Sequence, residues 1–324
     1  MPRRWAVTGA AGFIGRAVTR RLLGRGDQVV TIDRLPLDEP GVTHVRGDIT
    51  ADGPWQDALA DVEVVVHTAA IVTEAGDRAA FDAVNVTGAR RVATAAARSG
   101  AHLIHLSSVV VYGNDFPVGS LRDEDAPLRP TGGPYTDTKI AAEQAVLAVA
   151  LEHRSAFTIV RPGDVYGAAS QPWVLRPLDL LERGRFLLVD GGRWPLSPVH
   201  VDDLVTGILA TGDLEIARGR IYNLAGPPLP AREFFAHHAA HAGVRMRSLP
   251  RPIALATLRT AASAARLVGR RPPLAPEALE YVTRPGGYAT DRARRHLDWR
   301  VETDLATGLA EAFAHRSSAG NDGS

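Results

Sequence analysis

Hydrophobic positions in the first half of the chain form short continuous runs instead of an alternating pattern. The runs are rich in Val and Ile, and helical stretches separate them. Continuous apolar runs are typical of parallel strands buried on both faces. Strand–helix alternation favours a doubly wound α/β sheet of the Rossmann type. The predicted strands are residues 5–8, 28–32, 43–46, 62–67, 103–106 and 158–160, and the predicted helices are residues 13–24, 78–99 and 135–153.

The second half of the chain is punctuated densely by Pro and Gly. It keeps only two short strand candidates, residues 186–189 and 221–223, and an Ala-rich apolar helix at 252–268. We interpret that helix as a core or packing helix, with a flexible lid over an apolar substrate as the alternative. The sequence therefore predicts a main α/β domain over residues 1–168 and a smaller cap over 169–315 that is interleaved with the main sheet. Residues 316–324 are small and polar and are predicted to be a disordered tail.

A glycine-rich turn follows the first predicted strand and opens the first predicted helix. Gly9, Gly12 and Gly15 would let the backbone approach a pyrophosphate, and the helix N-terminus offers free N–H groups. Asp33 ends the second strand, where a carboxylate can accept hydrogen bonds from both ribose hydroxyls of NAD and would repel the extra phosphate of NADP. Arg34 could bind that phosphate. NAD is therefore the predicted cofactor, with NADP as the alternative, and residues 1–168 are the predicted NAD-binding domain.

A second motif joins Tyr135 and Lys139, which lie four residues apart at the beginning of a predicted helix and share one face. An ammonium beside a phenol would lower the tyrosine pKa from about 10, so that Tyr135 could exchange a proton with a substrate oxygen. Ser107 and Ser108 end the fifth strand, and a serine hydroxyl there could hold that oxygen. Both segments are expected at the carboxyl ends of strands, where ligands bind in open α/β sheets. Lys139 is the only lysine of the chain.

From about residue 4 to about residue 313 the chain resembles the extended short-chain dehydrogenase/reductase family, which includes the NAD-dependent epimerases and dehydratases. Residues 8–15, 48–49, 67–70, 85–88, 107–113, 135–139, 161–167, 199–203 and 290–299 carry the resemblance. It implies that Tyr135 is the general acid/base, that Lys139 holds the ribose hydroxyls and lowers the tyrosine pKa, and that Ser108 orients the substrate oxygen. The implied cofactor residues are Gly9, Ala11, Gly12, Phe13, Ile14, Asp33, Arg34, Asp48, Ile49, Thr68, Ala69, Ala70, Asn85, Ser107, Tyr135, Lys139, Pro162, Gly163 and Val165. The implied substrate contacts are Ile71, Val72, Val109, Val110 and Asp164.

Two departures from the family pattern bear on the substrate. Members that act on nucleotide sugars usually carry Arg-Asp-Phe before the Val-x-Val-Asp-Asp segment, and that Arg binds a substrate phosphate; here the matching residues are Leu196, Ser197 and Pro198. An Asn common in the family is Asp164, and a carboxylate is a poor neighbour for a diphosphate. Residues 67–72, 85–92 and 270–274 resemble the 3β-hydroxysteroid dehydrogenase-like branch, which implies secondary alcohols or ketones of apolar substrates.

We therefore predict an NAD-dependent enzyme that transfers a hydride between nicotinamide and a secondary alcohol or ketone of a largely apolar substrate. One alternative is a nucleotide-sugar epimerase or dehydratase with a recycled cofactor. The other is a non-catalytic NAD-sensing protein, although such proteins typically lack the Tyr or the Lys.

Composition narrows the class of partner. The 324 residues carry a net charge of +1 and no cysteine, which excludes disulfides and thiol catalysis and gives no sign of a nucleic-acid partner. No metal site is predicted. No apolar run reaches the roughly 18 residues of a membrane span, and no apolar leader precedes the first strand, so a cytoplasmic protein is expected. The family resemblance implies a homodimer formed through helices 78–99 and 135–153.

Overall fold

A parallel seven-stranded sheet forms the centre of the computed structural model, which describes residues 2–73, 77–267 and 276–321. The strands are β1 (Arg4–Thr8), β2 (Gln28–Asp33), β3 (Val42–Arg46), β4 (Val64–His67), β5 (His102–Leu106), β6 (Phe157–Pro162) and β7 (Arg220–Leu224). They lie in the order β3-β2-β1-β4-β5-β6-β7, and Thr8 at the end of β1 pairs with Ile32 and His67 on its two neighbours. The predicted Rossmann-type fold is confirmed.

The helices cover both faces of the sheet and the cap. The predicted helix over residues 78–99 is one continuous run in which the π-helical segment Asp82–Gly88 joins α3 to α4. The helices are α1 (Phe13–Gly24), α2 (Pro54–Asp57), α3 (Arg78–Phe81), α4 (Ala89–Ser99), α5 (Pro134–His153), α6 (Arg176–Glu182), α7 (Val201–Asp213), α8 (Ala231–His241), α9 (Arg251–Leu267), α10 (Pro276–Val282), α11 (Asp291–Leu297) and α12 (Leu305–Asn321).

Successive residues of each strand point to opposite faces, so the sheet has two apolar layers. On one face Val7 packs with Leu22 of α1 and Leu204 of α7. On the other face Ala6 packs with Val146 of α5 and with α4. Both layers are fully buried, which explains why the strands read as continuous apolar runs.

The second half of the chain builds the cap but also returns to the sheet. β7 is an edge strand of the sheet, and α7 packs on α1, so the two predicted domains share one sheet. Four short strand pairs lie outside the main sheet, of which the first two join residues 1–168 to the cap and the last two lie within the cap. They are Leu121–Arg122 with Gly287–Tyr288, Asp164–Tyr166 with Pro198–His200, Leu187–Val189 with Arg247–Leu249, and Pro195–Leu196 with Leu229–Pro230.

Two predictions for the second half need correction. The helix predicted at 252–268 is α9, and it packs at the surface instead of in the core, because Ala254 on one side is buried while Ile253 is 53% exposed. The tail predicted to be disordered from residue 316 continues α12 as a helix to Asn321. Residues 270–274, which contributed to the family resemblance, and residues 322–324 lie outside the described residues.

Across the described ranges no helix combines the length and the apolar character that crossing a membrane requires. Within the same ranges no group of three or more His, Cys, Asp or Glu side chains could hold a metal ion.

Candidate active site

The glycine turn has the close backbone packing that its sequence requires. Gly9 has a φ of +72°, a conformation that favours glycine, and a Cβ there would lie 2.6 Å from the Ala69 nitrogen. A Cβ on Gly15 would lie 2.2 Å from the Gly9 carbonyl oxygen. The turn is closed by the Gly12 N–H, which donates to the Gly9 carbonyl at 3.0 Å. Glycine is therefore required by the packing of the turn itself.

The N-terminus of α1 faces this turn and is suited to an anionic group. α1 begins at Phe13 and has no side-chain cap and no acidic residue in its first turn, so its first N–H groups and its positive dipole end remain available. Asp33 lies beside the turn, where its carboxylate accepts hydrogen bonds from the Ala11 N–H at 3.0 Å and the Leu35 N–H at 2.9 Å. Arg34 has a 70% exposed side chain, 3.9 Å from Asp48. The pyrophosphate and ribose of a dinucleotide fit this arrangement.

Asn85 supports the loop after β4. Its side-chain carbonyl accepts from the Ile71 N–H at 2.8 Å, and its amide donates to the Ile71 carbonyl at 3.1 Å and to Thr138 at 3.1 Å. Thr68 donates to the Thr8 carbonyl at 2.7 Å. Because the Asn85 amide is used fully within the chain, Asn85 fixes the position of this loop.

Ser108, Tyr135 and Lys139 meet where β5 and α5 come together. Ser108 begins a short 3₁₀ helix, Val109–Tyr112, and is hydrogen-bonded to Tyr135. Lys139 is buried and donates to the Leu106 carbonyl at 2.7 Å. All three side chains line one cleft, as the Tyr–Lys spacing and the strand end predict.

The electrostatics of this group differ from one expectation. Burial raises the pKa of Tyr135 to about 12, and the hydrogen bond from Ser108 opposes that shift. The predicted lowering of this pKa by Lys139 is wrong for this structure, because the ammonium is directed to the carbonyl of Leu106. Burial also lowers the pKa of Lys139 to about 8, with the Glu143 carboxylate acting in the opposite direction.

His67, at the end of β4, is a buried histidine that is hydrogen-bonded within the chain. It hydrogen-bonds to Thr8 at 2.7 Å, and its ring lies 5.3 Å from that of His105. Burial lowers the pKa of His67 to about 3, with Lys139 contributing.

A cleft of about 1660 Å³ runs from the glycine turn, past Tyr135, into the cap. Ser107 lines it, and its hydroxyl is buried with no hydrogen-bond partner among the described residues. The predicted residues that line the cleft are Gly9, Ala11, Gly12, Phe13, Ile14, Thr68, Ala70, Val72, Ser107, Ser108, Val110, Tyr135, Lys139, Pro162, Gly163 and Val165.

The other predicted residues lie behind the cleft wall or at its rim. Val109 packs in an apolar cluster with Tyr112, and the Ile49 side chain belongs to the core layer beneath α4. In a strand or short helix, the side chains of consecutive residues point in different directions, so the neighbour of a lining residue can point away from the cleft. Sequence alone does not show which of two neighbours faces the cleft. The predicted residues that do not line the cleft are Asp33, Arg34, Asp48, Ile49, Ala69, Ile71, Asn85, Val109 and Asp164.

Asp164 corrects an argument made from sequence. It is fully buried, and its carboxylate accepts from the Tyr281 hydroxyl at 2.6 Å, the Ser197 N–H at 2.7 Å and the Arg284 guanidinium at 3.3 Å. Its charge is therefore compensated inside the protein, and it does not repel a phosphate in the cleft. It fastens the segment that follows α10 to the sheet.

The residues that line the cap half of the cleft were not predicted from sequence. Its wall is predominantly apolar and is formed by segments that lie far apart in the chain. Only the apolar run at 186–189 and the Ala-rich helix gave any indication of it in the sequence. The residues concerned are Trp173, Leu180, Phe186, Leu188, Phe235, Leu249, Ala254, Leu258, Leu279 and Tyr281.

Comparison of the sequence with models of known protein families identifies the family of this chain. The model described as NAD dependent epimerase/dehydratase family matches residues 5–225, more than half of the chain. The chain belongs to this family. As a member of the NAD-dependent epimerase/dehydratase family it is an enzyme that uses NAD, in agreement with the glycine turn and Asp33.

Relatives within the family span several activities. The chain is 29% identical to the 2-alkyl-3-oxoalkanoate reductase of Stenotrophomonas maltophilia over 94% of this chain and 96% of the relative. It is 36% identical to a dTDP-glucose 4,6-dehydratase of Streptomyces griseus over 96% of this chain and 94% of the relative. It is 30% identical to a 3-beta-hydroxysteroid dehydrogenase of Mycolicibacterium neoaurum over 71% of this chain and 68% of the relative. The predicted resemblance to extended dehydrogenases, including 3β-hydroxysteroid dehydrogenases, is confirmed.

Solved structures of the family share the fold. DesIV, a dTDP-glucose 4,6-dehydratase from Streptomyces venezuelae with NAD and TYD bound, superposes with a TM-score of 0.79 at 24% identity and covers 98% of each chain.

Proposed function

We propose that this protein is an NAD-dependent oxidoreductase acting on a carbonyl or secondary alcohol of a largely apolar substrate. One observation carries the proposal: Ser108, Tyr135 and Lys139 lie at the junction between the glycine turn and a predominantly apolar half of the same cleft. A carbonyl at that junction would meet the proton donor, while the rest of the molecule occupies the cap.

The residues act on the substrate oxygen in the following way. NADH supplies the hydride when bound. Tyr135 is protonated at neutral pH, because its pKa is raised to about 12, and it donates that proton to the carbonyl oxygen. Ser108 holds the same oxygen by a second hydrogen bond. Lys139 contributes a positive charge on the face of α5 that it shares with Tyr135. A protonated Tyr135 favours the direction of carbonyl reduction.

The nature of the cap supports an apolar substrate. Phe186, Leu188, Phe235 and Leu249 contribute to the wall opposite the glycine turn. Burial of apolar surface is the main source of binding energy for such a ligand. The relatives named as an oxoalkanoate reductase and a hydroxysteroid dehydrogenase favour the same class.

A second candidate is a nucleotide-sugar dehydratase or epimerase, which the 36% identity to a dTDP-glucose 4,6-dehydratase favours. Elimination of water needs an acid and a base besides the tyrosine. Between residues 106 and 139, the part of the chain that carries Ser108 and Tyr135, the polar residues that line the cleft include Asn114 and Thr131. None of the lining residues in this range is an Asp or a Glu. This favours the reductase.

The test is oxidation of NADH, followed by its absorbance, with a panel of apolar ketones and with dTDP- and UDP-sugars. We expect turnover of ketones with net loss of NADH, and a loss of roughly 10²–10⁴-fold in the Tyr135→Phe variant. Tyr222→Phe is the matched control, because Tyr222 is buried against His296 outside the cleft. Unchanged turnover in Tyr135→Phe would contradict the assignment. Sugar-nucleotide conversion without net loss of NADH would favour the second candidate, and NAD binding without any turnover would favour a sensor.

We also propose the homodimer and the cytoplasmic location that the family resemblance and the sequence imply. Leu147 and Leu151 support the dimer, since they lie one helical turn apart on α5 and are 37% and 82% exposed. Paired helices with exposed leucines are suited to packing against a second copy.

A further inference from the structure

The charges that line the cap half of the cleft are of one sign. Arg176 and Arg185 line it, and Asp202 is the only carboxylate among the described residues that line the cleft. Asp202 belongs to the first turn of α7, next to Val201, which lies near Phe13 of the glycine turn. Among the described residues, the lining of the cap half therefore contains positive charge and no carboxylate.

The backbone of Arg185 is held in this wall, and its side chain is exposed. It lies between the end of α6 and the short strand Leu187–Val189, and its backbone N–H donates to the Leu180 carbonyl at 2.8 Å. Its guanidinium forms no ion pair with any residue that the structure describes.

The two described arginines on either side of Arg185 in sequence, Arg183 and Arg193, have carboxylate partners. Arg183 pairs with Asp179 at 2.7 Å, and Arg193 pairs with Asp190 at 3.3 Å. Glu182 pairs with Arg316 at 2.7 Å. The local carboxylates are thus used, and Arg185 is left facing the cleft.

The adjoining segment, whose strand Arg247–Leu249 pairs with Leu187–Val189, adds to the positive charge. From Phe234 to Pro276 the sequence contains seven arginines and no Asp or Glu. In the described part of this stretch, Arg251 and Arg259 are exposed on α9, whose Ala254, Thr257 and Leu258 line the cleft. A cleft mouth with one sign of charge and apolar walls attracts a ligand of the opposite sign.

We propose that the substrate is an amphipathic anion, with an apolar body that fills the cap and an anionic group that Arg185 binds. The inference rests on the proposed function and narrows its substrate class. A guanidinium matches a carboxylate or phosphate by paired hydrogen bonds, and the name of one relative, an oxoalkanoate reductase, is consistent with a carboxylate.

Binding is tested first, because it does not depend on turnover. Calorimetric titration with NAD present compares decanoate with decanol, which differ only in the charged end, and decanoyl coenzyme A tests whether the anion is carried by an attached carrier. We expect decanoate to bind roughly ten- to hundredfold more tightly than decanol, the range that a hydrogen bond to a charged group provides. The difference should decrease with added salt.

Two variants test whether the preference for decanoate over decanol depends on Arg185. Arg185→Gln should remove the preference for the acid, whereas Arg183→Gln, two residues away and outside the cleft, should keep it. Equal binding of decanoate and decanol by the wild type, or a preference that survives in Arg185→Gln, would overturn the inference. A stronger, Arg185-dependent binding of decanoyl coenzyme A would support it with the anion on the carrier.

Turnover separates this inference from the proposed function. Oxidation of 3-hydroxydecanoate by NAD in preference to its methyl ester, with the preference lost in Arg185→Gln, supports both. An Arg185-dependent preference in binding, with neither oxidation of any alcohol nor reduction of any ketone, leaves the anion site intact and contradicts the proposed oxidoreductase. Equal oxidation of acid and ester supports the oxidoreductase and overturns the anion site.

Discussion

The charge of Lys139 can be followed directly, because it is the only lysine in the chain. Burial lowers its pKa from 10.5 to about 8, which corresponds to about 3 kcal/mol between the protonated and neutral forms. Protein labelled with ¹³C at lysine Cε should give one signal, and its titration midpoint in the folded protein should lie near 8. The same titration in urea should return to about 10.5, since the unfolded chain exposes the amine.

The sign of the linked stability change follows from this pKa. Below about pH 8 the lysine is charged in both states, so the cost of burying the charge is fully present. Between about pH 8 and 10.5 the unfolded state binds more protons, so this group makes the folded state relatively more stable as the pH rises. The unfolding free energy of the wild type relative to Lys139→Met should therefore increase by about 3 kcal/mol from about pH 7 to pH 10.5.

The protonation of Lys139 should also affect turnover. If the ammonium is needed at the site, turnover should fall as the pH passes about 8. A folded-state midpoint near 10.5, or a difference between wild type and Lys139→Met that does not change with pH, would refute the reasoning that burial controls this group.

Three further predictions concern the turn, the buried pair and the dimer. Gly15→Ala should abolish NAD binding in calorimetry, because its Cβ would lie 2.2 Å from a backbone oxygen, whereas Gly24→Ala, with nothing within 4 Å, should bind normally; equal binding by the two variants would count against the turn. Asp164→Asn should lower the unfolding free energy in urea by about 3–5 kcal/mol, because it leaves a fully buried guanidinium without its charge partner, while Asp179→Asn in an exposed pair should change it by less than about 1 kcal/mol. Leu151→Glu should convert a dimer into a monomer in light scattering after size exclusion, and an unchanged mass would argue against the α5 face.

The sheet and the cofactor half of the site could be predicted from sequence because local pattern controls them. Parallel buried strands require continuous apolar runs, and a pyrophosphate turn requires glycines at fixed spacing, so Gly9, Gly12, Gly15 and Asp33 were recognisable without any long-range information. Tyr135 and Lys139 were recognisable for the same reason, since four residues on a helix place two side chains on one face.

The tertiary structure determines the burial and the charge partners of the site residues. The pKa of Tyr135 is raised by burial that no local motif reveals, and Asp164 is compensated by Arg284, which lies 120 residues further along the chain. The cap wall is assembled from α6, α8, α9 and α10, whose apolar side chains have no fixed spacing in sequence. Sequence by itself therefore determined the fold class and the chemistry of hydride transfer, while the packing of distant segments decided the protonation states and the shape and charge of the substrate half.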